Sequence, residues 1–187
     1  MRAIKFLFFL AATTSLFVCS SCSKLEEATT IKVPVPDFSF EIPAIVTSNP
    51  LDPALRSALD LNHFSGSATL SINDDMFKDL KKNQSFITSI VIGVVNISVS
   101  SSSGGGVAEN LMLSSPEVGN FTIAQYTFGD VYSSTELAAY ATNLFTKFIE
   151  KGQITVSVSG DTDVEDGELI VGLYFGSIEI KAKVLDL

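Results

Sequence analysis

Beyond residue 30 the chain alternates apolar and polar residues with a period of two, and the alternation changes phase in three places. In residues 31–42 (IKVPVPDFSFEI), Ile31, Val33 and Val35 share one face and Phe38, Phe40 and Ile42 the other, with the change at Pro36-Asp37. Prolines 34, 36 and 43 cannot donate to a ladder, which predicts an edge strand or one that breaks and crosses between sheets. Phe64, Gly66, Ala68, Leu70 and Ile72 alternate with Ser65, Ser67, Thr69 and Ser71, the pattern of a strand wet on one side. In residues 86–99 (FITSIVIGVVNISV) the inward set moves from Ile90, Ile92 and Val94 to Val95, Ile97 and Val99, as a β-bulge would produce. Near the C-terminus it moves from Leu169, Val171, Leu173 and Phe175 to Ile178, Ile180, Ala182 and Val184, with Gly176 at the change.

Helical periodicity is confined to two longer segments. Residues 75 to about 82 predict a short helix with Met76, Phe77 and Leu80 on its apolar side and Asn73 or Asp74 as cap. Residues 134–151 predict the one substantial helix. Ser133 and Glu136 read as a capping box, Leu137, Tyr140, Ala141, Leu144, Phe145, Phe148 and Ile149 as a broad apolar face, and Gly152 as the C-cap. Pro50 and Pro53 frame a helical turn over 52–59. Residues 100–106 (SSSSGGG) read as a flexible loop of hairpin length, followed by two weaker strands at 111–113 and 121–128. Ile154, Val156 and Val158 begin what reads as a C-terminal hairpin, turning at 160–167 and returning over 169–185.

Long strands that change their buried face suit two layers with strands bending between them. No period of 20–50 residues repeats, and strands do not alternate with helices as in a parallel α/β sheet. The expected fold is a mainly antiparallel β-sandwich of long bent strands, with one amphipathic helix at about 134–151 packed on it, as a single domain over 31–187.

The first 21 residues carry a different pattern. Arg2 and Lys5 precede thirteen apolar-rich residues, 6–18 (FLFFLAATTSLFV), in the manner of an export signal. Thirteen helical residues rise about 20 Å, short of a bilayer core of about 30 Å. Both cysteines, Cys19 and Cys22, close this segment and none follows, so a disulfide framework for the body is excluded. Ser20-Ser21-Cys22 resembles the lipobox of bacterial envelope lipoproteins, with Cys19 where such boxes usually carry an aliphatic residue. The resemblance implies acylation (palmitate) of Cys22, a signal peptide of residues 1–21, a tether of 22–30 and an outer-membrane anchor. Ser23-Lys24-Leu25-Glu26-Glu27 is similar to the Lys-plus-acidic signal that sends some lipoproteins to the outer leaflet, interrupted here by Leu25. Multiple acyl chains hold a domain at a membrane with no apolar patch of its own, each contributing about 0.8 kcal/mol per buried CH₂.

Composition then reads differently for precursor and mature chain. The 187 residues are 46 % hydrophobic and 18 % charged with net charge −9, and their mean hydropathy is +0.36. Without residues 1–21 the hydrophobic share falls to about 43 % and, with Arg2 and Lys5 gone, the charge to −11. This balance offers no basic face for nucleic acid.

Catalytic inventory is sparse. With no thiol in the body and one histidine, His63, cysteine nucleophiles, two-histidine metal sites and H-E-x-x-H are excluded. The stretch F-S-G-S-A around Gly66 lacks the second glycine of a nucleophile elbow, and Gly104-Gly105-Gly106 lacks the Lys and helix of a phosphate loop. His63 reads as an ordinary residue at a loop-to-strand junction. The acidic turn 160–168 offers Asp161, Asp163, Glu165 and Asp166 as weak Ca²⁺ ligands, but the twelfth position from Asp161 is Gly172, so it is no EF-hand; a solvated turn is the plainer reading. Expectations for function are therefore a non-enzymatic, membrane-anchored binding or structural module without cofactor, whose partner is an envelope protein, glycan or lipid. The alternatives are a carrier of an apolar ligand and, behind it, a hydrolase using carboxylates alone.

Overall fold

Period-two alternation becomes strand through most of the computed structural model, which describes residues 30–47, 61–73, 75–102, 104–165 and 167–183. The expected signal peptide, Cys22, all of the tether but Thr30, the helical turn at 52–59, the capping residue Asp74 and the end of the last strand lie outside these residues. The strands are β1 (Thr30–Val35), β2 (Phe38–Thr47), β3 (Asn62–Ser71), β4 (Ile87–Ser101), β5 (Val107–Ser115), β6 (Gly119–Thr127), β7 (Gln153–Thr162) and β8 (Gly167–Lys183). Among the described residues two α-helices join them, α1 (Asp75–Lys82) and α2 (Thr135–Lys151). Among the described residues no helix is long and apolar enough to cross a membrane.

All eight strands belong to one antiparallel sheet in the order β1-β8-β2-β3-β7-β5-β6, with β4 on the other side of β8. The sheet curls until the segment after β6 meets β4: Ile97 and Tyr132 exchange backbone hydrogen bonds at 2.9 and 3.0 Å, and Gly129 N–H donates to Val99 at 3.2 Å. Tyr126 secures this seam, its hydroxyl donating to the Asp130 carbonyl and accepting from Val99 N–H. The two layers expected of a sandwich thus come from one sheet folded over, and α2 packs against β4 and β7.

Two pairings differ from the sequence reading. β7 and β8 are not a hairpin: β3 and β5 flank β7, while β4 and β2 flank β8. Likewise β4 and β5, joined by the glycine-rich loop, pair with other strands. Alternation specifies which face of a strand is buried and is silent about its neighbour.

The phase changes have a common origin. β1 and β2 break at Pro36-Asp37, and β2 is an interior strand between β8 and β3. The change in β4 is no bulge, because its register with β8 runs unbroken from Ile92↔Ile178 to Val94↔Gly176 and onward; the only shift lies between Ile87 and Ser89. Instead both strands kink together. Ser177 adopts φ 53°, facing Gly93, whose missing Cβ would stand 3.0 Å from that of Ser177. Asp37 spans the same line from the other side of β8: its carboxylate accepts from Ser177 N–H at 3.0 Å and from the Tyr174 hydroxyl at 2.6 Å. Three neighbouring columns of the sheet therefore change face along one transverse line.

Pro43 fits an interior strand for a local reason. Its carbonyl points at Gly66 of β3, so its nitrogen points that way too, and the β2–β3 pairing stops at Ala44↔Gly66. No ladder bond is lost.

Helix α2 begins one residue later than its expected capping box. Ser134 is the N-cap and accepts from Leu137 N–H, while Gly152 closes the helix at φ 83° as expected. Its seven buried side chains meet α1 and the inner sheet face. Phe77, Phe145 and Phe148 pack edge to face or tilted at 5.5–6.1 Å, and Phe38 stacks on Phe175 at 4.7 Å. The strands and helices from β1 to β8 form one compact unit.

Candidate functional site

Charge is distributed unevenly on this scaffold. Lys78, Lys81 and Lys82 lie on α1, whose Leu80 is buried and whose Phe77 packs on α2. Lys147 and Lys151 occupy the last turns of α2, Lys181 and Lys183 the end of β8, and Lys32 the start of β1. The registers bring these element ends together, since Ser71 pairs with Gln153 and Ile87 with Ala182. All eight described lysines consequently share one end of the barrel with five carboxylates, while the rest of the described domain carries nine carboxylates and no lysine. The overall acidic balance concealed this basic end.

At its centre, Lys81 donates to the Lys151 carbonyl at 2.8 Å, a cation placed on the negative end of α2. The left-handed Gly152 lies beneath the Lys81 chain, and its carbonyl accepts from Ile72 N–H at 3.0 Å, tying the end of β3 to the junction. Lys81 and Gly152 form the shared rim of two open hollows. One, of about 460 Å³, is lined by Ile72, Lys78, Lys82 and Gln84 besides the rim, with no carboxylate among its lining. The second, of about 400 Å³, is lined by Glu117, Lys151 and the first residues of β7. Glu117 is already engaged, accepting from the Ser115 hydroxyl at 2.8 Å and from Lys151 at 3.1 Å. Those two donors hold its carboxyl below the usual range. Lys32 does the same for Glu179 at 2.8 Å. Lys82 and Lys183 have no carboxylate partner among the described residues. The chemistry on offer is binding of an anion with oxygen acceptors.

The acidic candidates lie at the opposite end, and their contacts diverge. Asp161 faces His63 across the strand pair at 3.2 Å, whereas Asp163 turns to β5 and accepts from Val107 N–H at 2.7 Å. Val164 is buried, with its carbonyl held by Asn62, and Glu165 has a partner of its own. Asp166 lies outside the described residues. Among the described residues no three acidic, histidine or cysteine side chains converge as metal donors. Asp161 is also the only polar contact of the His63 ring among those residues, and no hydroxyl joins the pair. On the outer face of β3, β7 and β5 a third hollow, of about 470 Å³, is lined by Ser65, Ser67, Ser114, Ser157 and Ser159 together with Gly66, Met112 and Val158.

The lysine end was missed in the sequence because its members come from four separate element ends. The clusters 78–82 and 147–151 were visible, but only the strand registers show that they meet. Comparison with protein-family models, with curated proteins and with solved structures found no match to this chain.

Proposed function

We propose that this protein is a non-enzymatic lipoprotein of the bacterial envelope, anchored in the outer membrane through acylated Cys22 and presenting a β domain as a binding or structural module. The observation that carries the reading is Ser20-Ser21-Cys22 at the end of a basic then apolar leader, with no cysteine in the 165 residues that follow. A domain that starts at β1, eight residues after Cys22, is in keeping with a short tether. Its candidate partners remain an envelope protein, a glycan or a lipid; against nucleic acid stands the net charge, −11 without residues 1–21, and no longer the want of a basic face.

The carrier alternative rested on apolar groups on both faces of the last strand. In the structure Leu169, Val171, Leu173 and Phe175 are buried in the core, and Tyr174 on the other face is engaged by Asp37. That leaves Ile170, 39 % exposed, as the surplus. A hydrolase using carboxylates alone would need two acids facing a cleft. The two hollows beside the helices contain one carboxylate between them, Glu117, already paired with Lys151.

Intact-mass analysis of protein extracted from membranes tests the reading. The expected species starts at Cys22, carries acyl chains and no further ligand, and Cys22→Ala moves the protein out of the membrane pellet. A mature form starting elsewhere, or a variant that stays in the pellet, refutes the anchor. A stoichiometric apolar ligand in the native mass favours the carrier.

A further inference from the structure

We infer that the lysine end of the barrel is the membrane-facing surface of the domain and receives the phosphate headgroups of anionic lipids in the hollow lined by Lys78, Lys81, Lys82 and Gln84. The inference deepens the lipoprotein reading and rests on it for the anchor.

Three observations converge. The first is where the chain enters. β1 lies beside β8, with Lys32 paired to Glu179, so Ile31 lies at the same end as Lys181 and Lys183. Eight residues lie between Cys22 and Ile31, and the nine steps from one to the other span at most about 32 Å when fully extended. An anchor at Cys22 therefore keeps this end nearest the bilayer. The second is charge. Against an anionic surface the remainder of the described domain presents nine carboxylates and no lysine, while this end presents eight lysines to five carboxylates. Asp74 and Asp186, neighbours in sequence to this end, lie outside the described residues. Orientation follows from the difference between the two ends, because turning the domain over would bring its most negative part against like charge. The third is the hollow itself, lined by three lysines and an amide with no carboxylate. Its lysines are held by structure, Lys81 on the α2 terminus and Lys78 on Asp75 at 2.8 Å, with Lys82 beside them. Phosphate oxygens accept from ammonium groups as point charges without demanding a fixed fork. Each lysine brought to an anionic surface is worth about a fivefold gain in residence there, and salt screens it.

The test uses the full mature acylated protein reconstituted in vesicles. One set contains phosphatidylglycerol with phosphatidylcholine and the other phosphatidylcholine alone. A membrane-impermeant amine-acetylating reagent is applied and the modified lysines are read by mass spectrometry. Lys81 and Lys82 are expected to react at least threefold more slowly on the anionic vesicles, with the difference erased in high salt. The Lys81→Gln/Lys82→Gln variant, which keeps the length of both side chains, is expected to lose the protection of Lys183 as well. Equal reactivity on both vesicle types overturns the inference, and so does protection that survives salt. If the mature protein proves to carry no acyl chain, the anchor reading fails separately. The surface is then read by co-sedimentation of that chain, where binding to anionic but not to neutral vesicles supports it and no binding overturns it. Free inorganic phosphate that restores labelling on the anionic vesicles places the ligand at the hollow; no effect of phosphate at the concentration of the lipid headgroup overturns the assignment of the hollow.

Discussion

Replacing Gly66 by alanine should loosen the sheet at one definable place. The three atoms nearest the Cβ it adds are all backbone: the Pro43 carbonyl oxygen, the Ala44 Cα at 2.7 Å and the Pro43 carbonyl carbon at 2.8 Å. Carbon atoms rest at about 3.5–4.0 Å, and no rotamer change can move a main chain, so β2 and β3 must part by about 1 Å. Hydrogen bonds near 2.9 Å then stretch past any useful length. Because the β2–β3 pairing comprises Ala44 to Thr47 against His63 to Gly66, the damage falls on its last pair and spreads inward. Overpacking costs about 1–3 kcal/mol and each lost hydrogen bond about 1 kcal/mol. The unfolded chain, stiffened by alanine, returns about 0.4–1 kcal/mol. The net loss is about 2–3 kcal/mol, or roughly 5–10 °C in melting temperature for a domain of this size. Circular dichroism melts of Gly66→Ala and of Gly105→Ala measure it. The latter is the control, since nothing lies within 4 Å of a Cβ at that loop glycine, and it should melt at or slightly above the parent. If Gly66→Ala melts within about 1 °C of the parent, the close approach of the two strands is not what the glycine serves.

Two further outcomes concern the clamp on the kink and the aromatic core. Asp37 is held below its ordinary value of 3.8, chiefly by the Tyr174 hydroxyl and then by Ser177 N–H. Its contribution to stability is therefore complete above the ordinary carboxylate range and fades as pH falls through it toward the folded value. Urea midpoints of the parent and of Asp37→Asn should differ most at neutral pH and converge in acid; a gap independent of pH would refute the clamp. Phe148 is 1 % exposed and packs on Phe77 and Phe145, so Phe148→Ala should cost about 3–5 kcal/mol in urea denaturation, with a value under about 1 kcal/mol placing the ring outside the core.

How much of this was legible in the sequence varies with the range of the interaction. The bounds of α2 were readable to a residue because caps and amphipathic spacing are local; the one error, Ser133 for Ser134 as N-cap, came from two adjacent serines competing for the role. Burial of alternate residues in β2, β7 and β8 was equally readable. Three phase changes were seen, at Pro36-Asp37, Val94-Val95 and Gly176, but the second falls at Gly93 and leaves Val94, expected inward, 40 % exposed; their alignment was invisible, since it depends on Asp37 and Gly93 meeting Ser177 across more than 80 residues of chain. Strand neighbours were misread for the same reason: β7 and β8 look like a hairpin from the four residues between them, but their inner faces are satisfied by any strand with the matching alternation. The candidate ligands of the acidic turn were close in sequence and diverge in space, because β7 ends at Thr162: Asp161 still stands in the strand and faces His63, whereas Asp163 lies past its end and bonds to Val107 of β5. The lysine end shows the converse, being dispersed in sequence and gathered by register.

The position of β8 bears on the order in which the molecule can be assembled. It is the last of the eight strands to be synthesised, yet it lies inside the sheet, with β4 along one edge and β2 and β1 along the other. Until it arrives, two sets of backbone donors and acceptors stay open, and β4, on which α2 packs, lacks the strand it pairs with. A partly made or truncated chain therefore holds sticky unpaired edges rather than a smaller stable core. Completion of the sheet therefore waits on β8, and a chain that lacks this strand keeps β4 apart from β2.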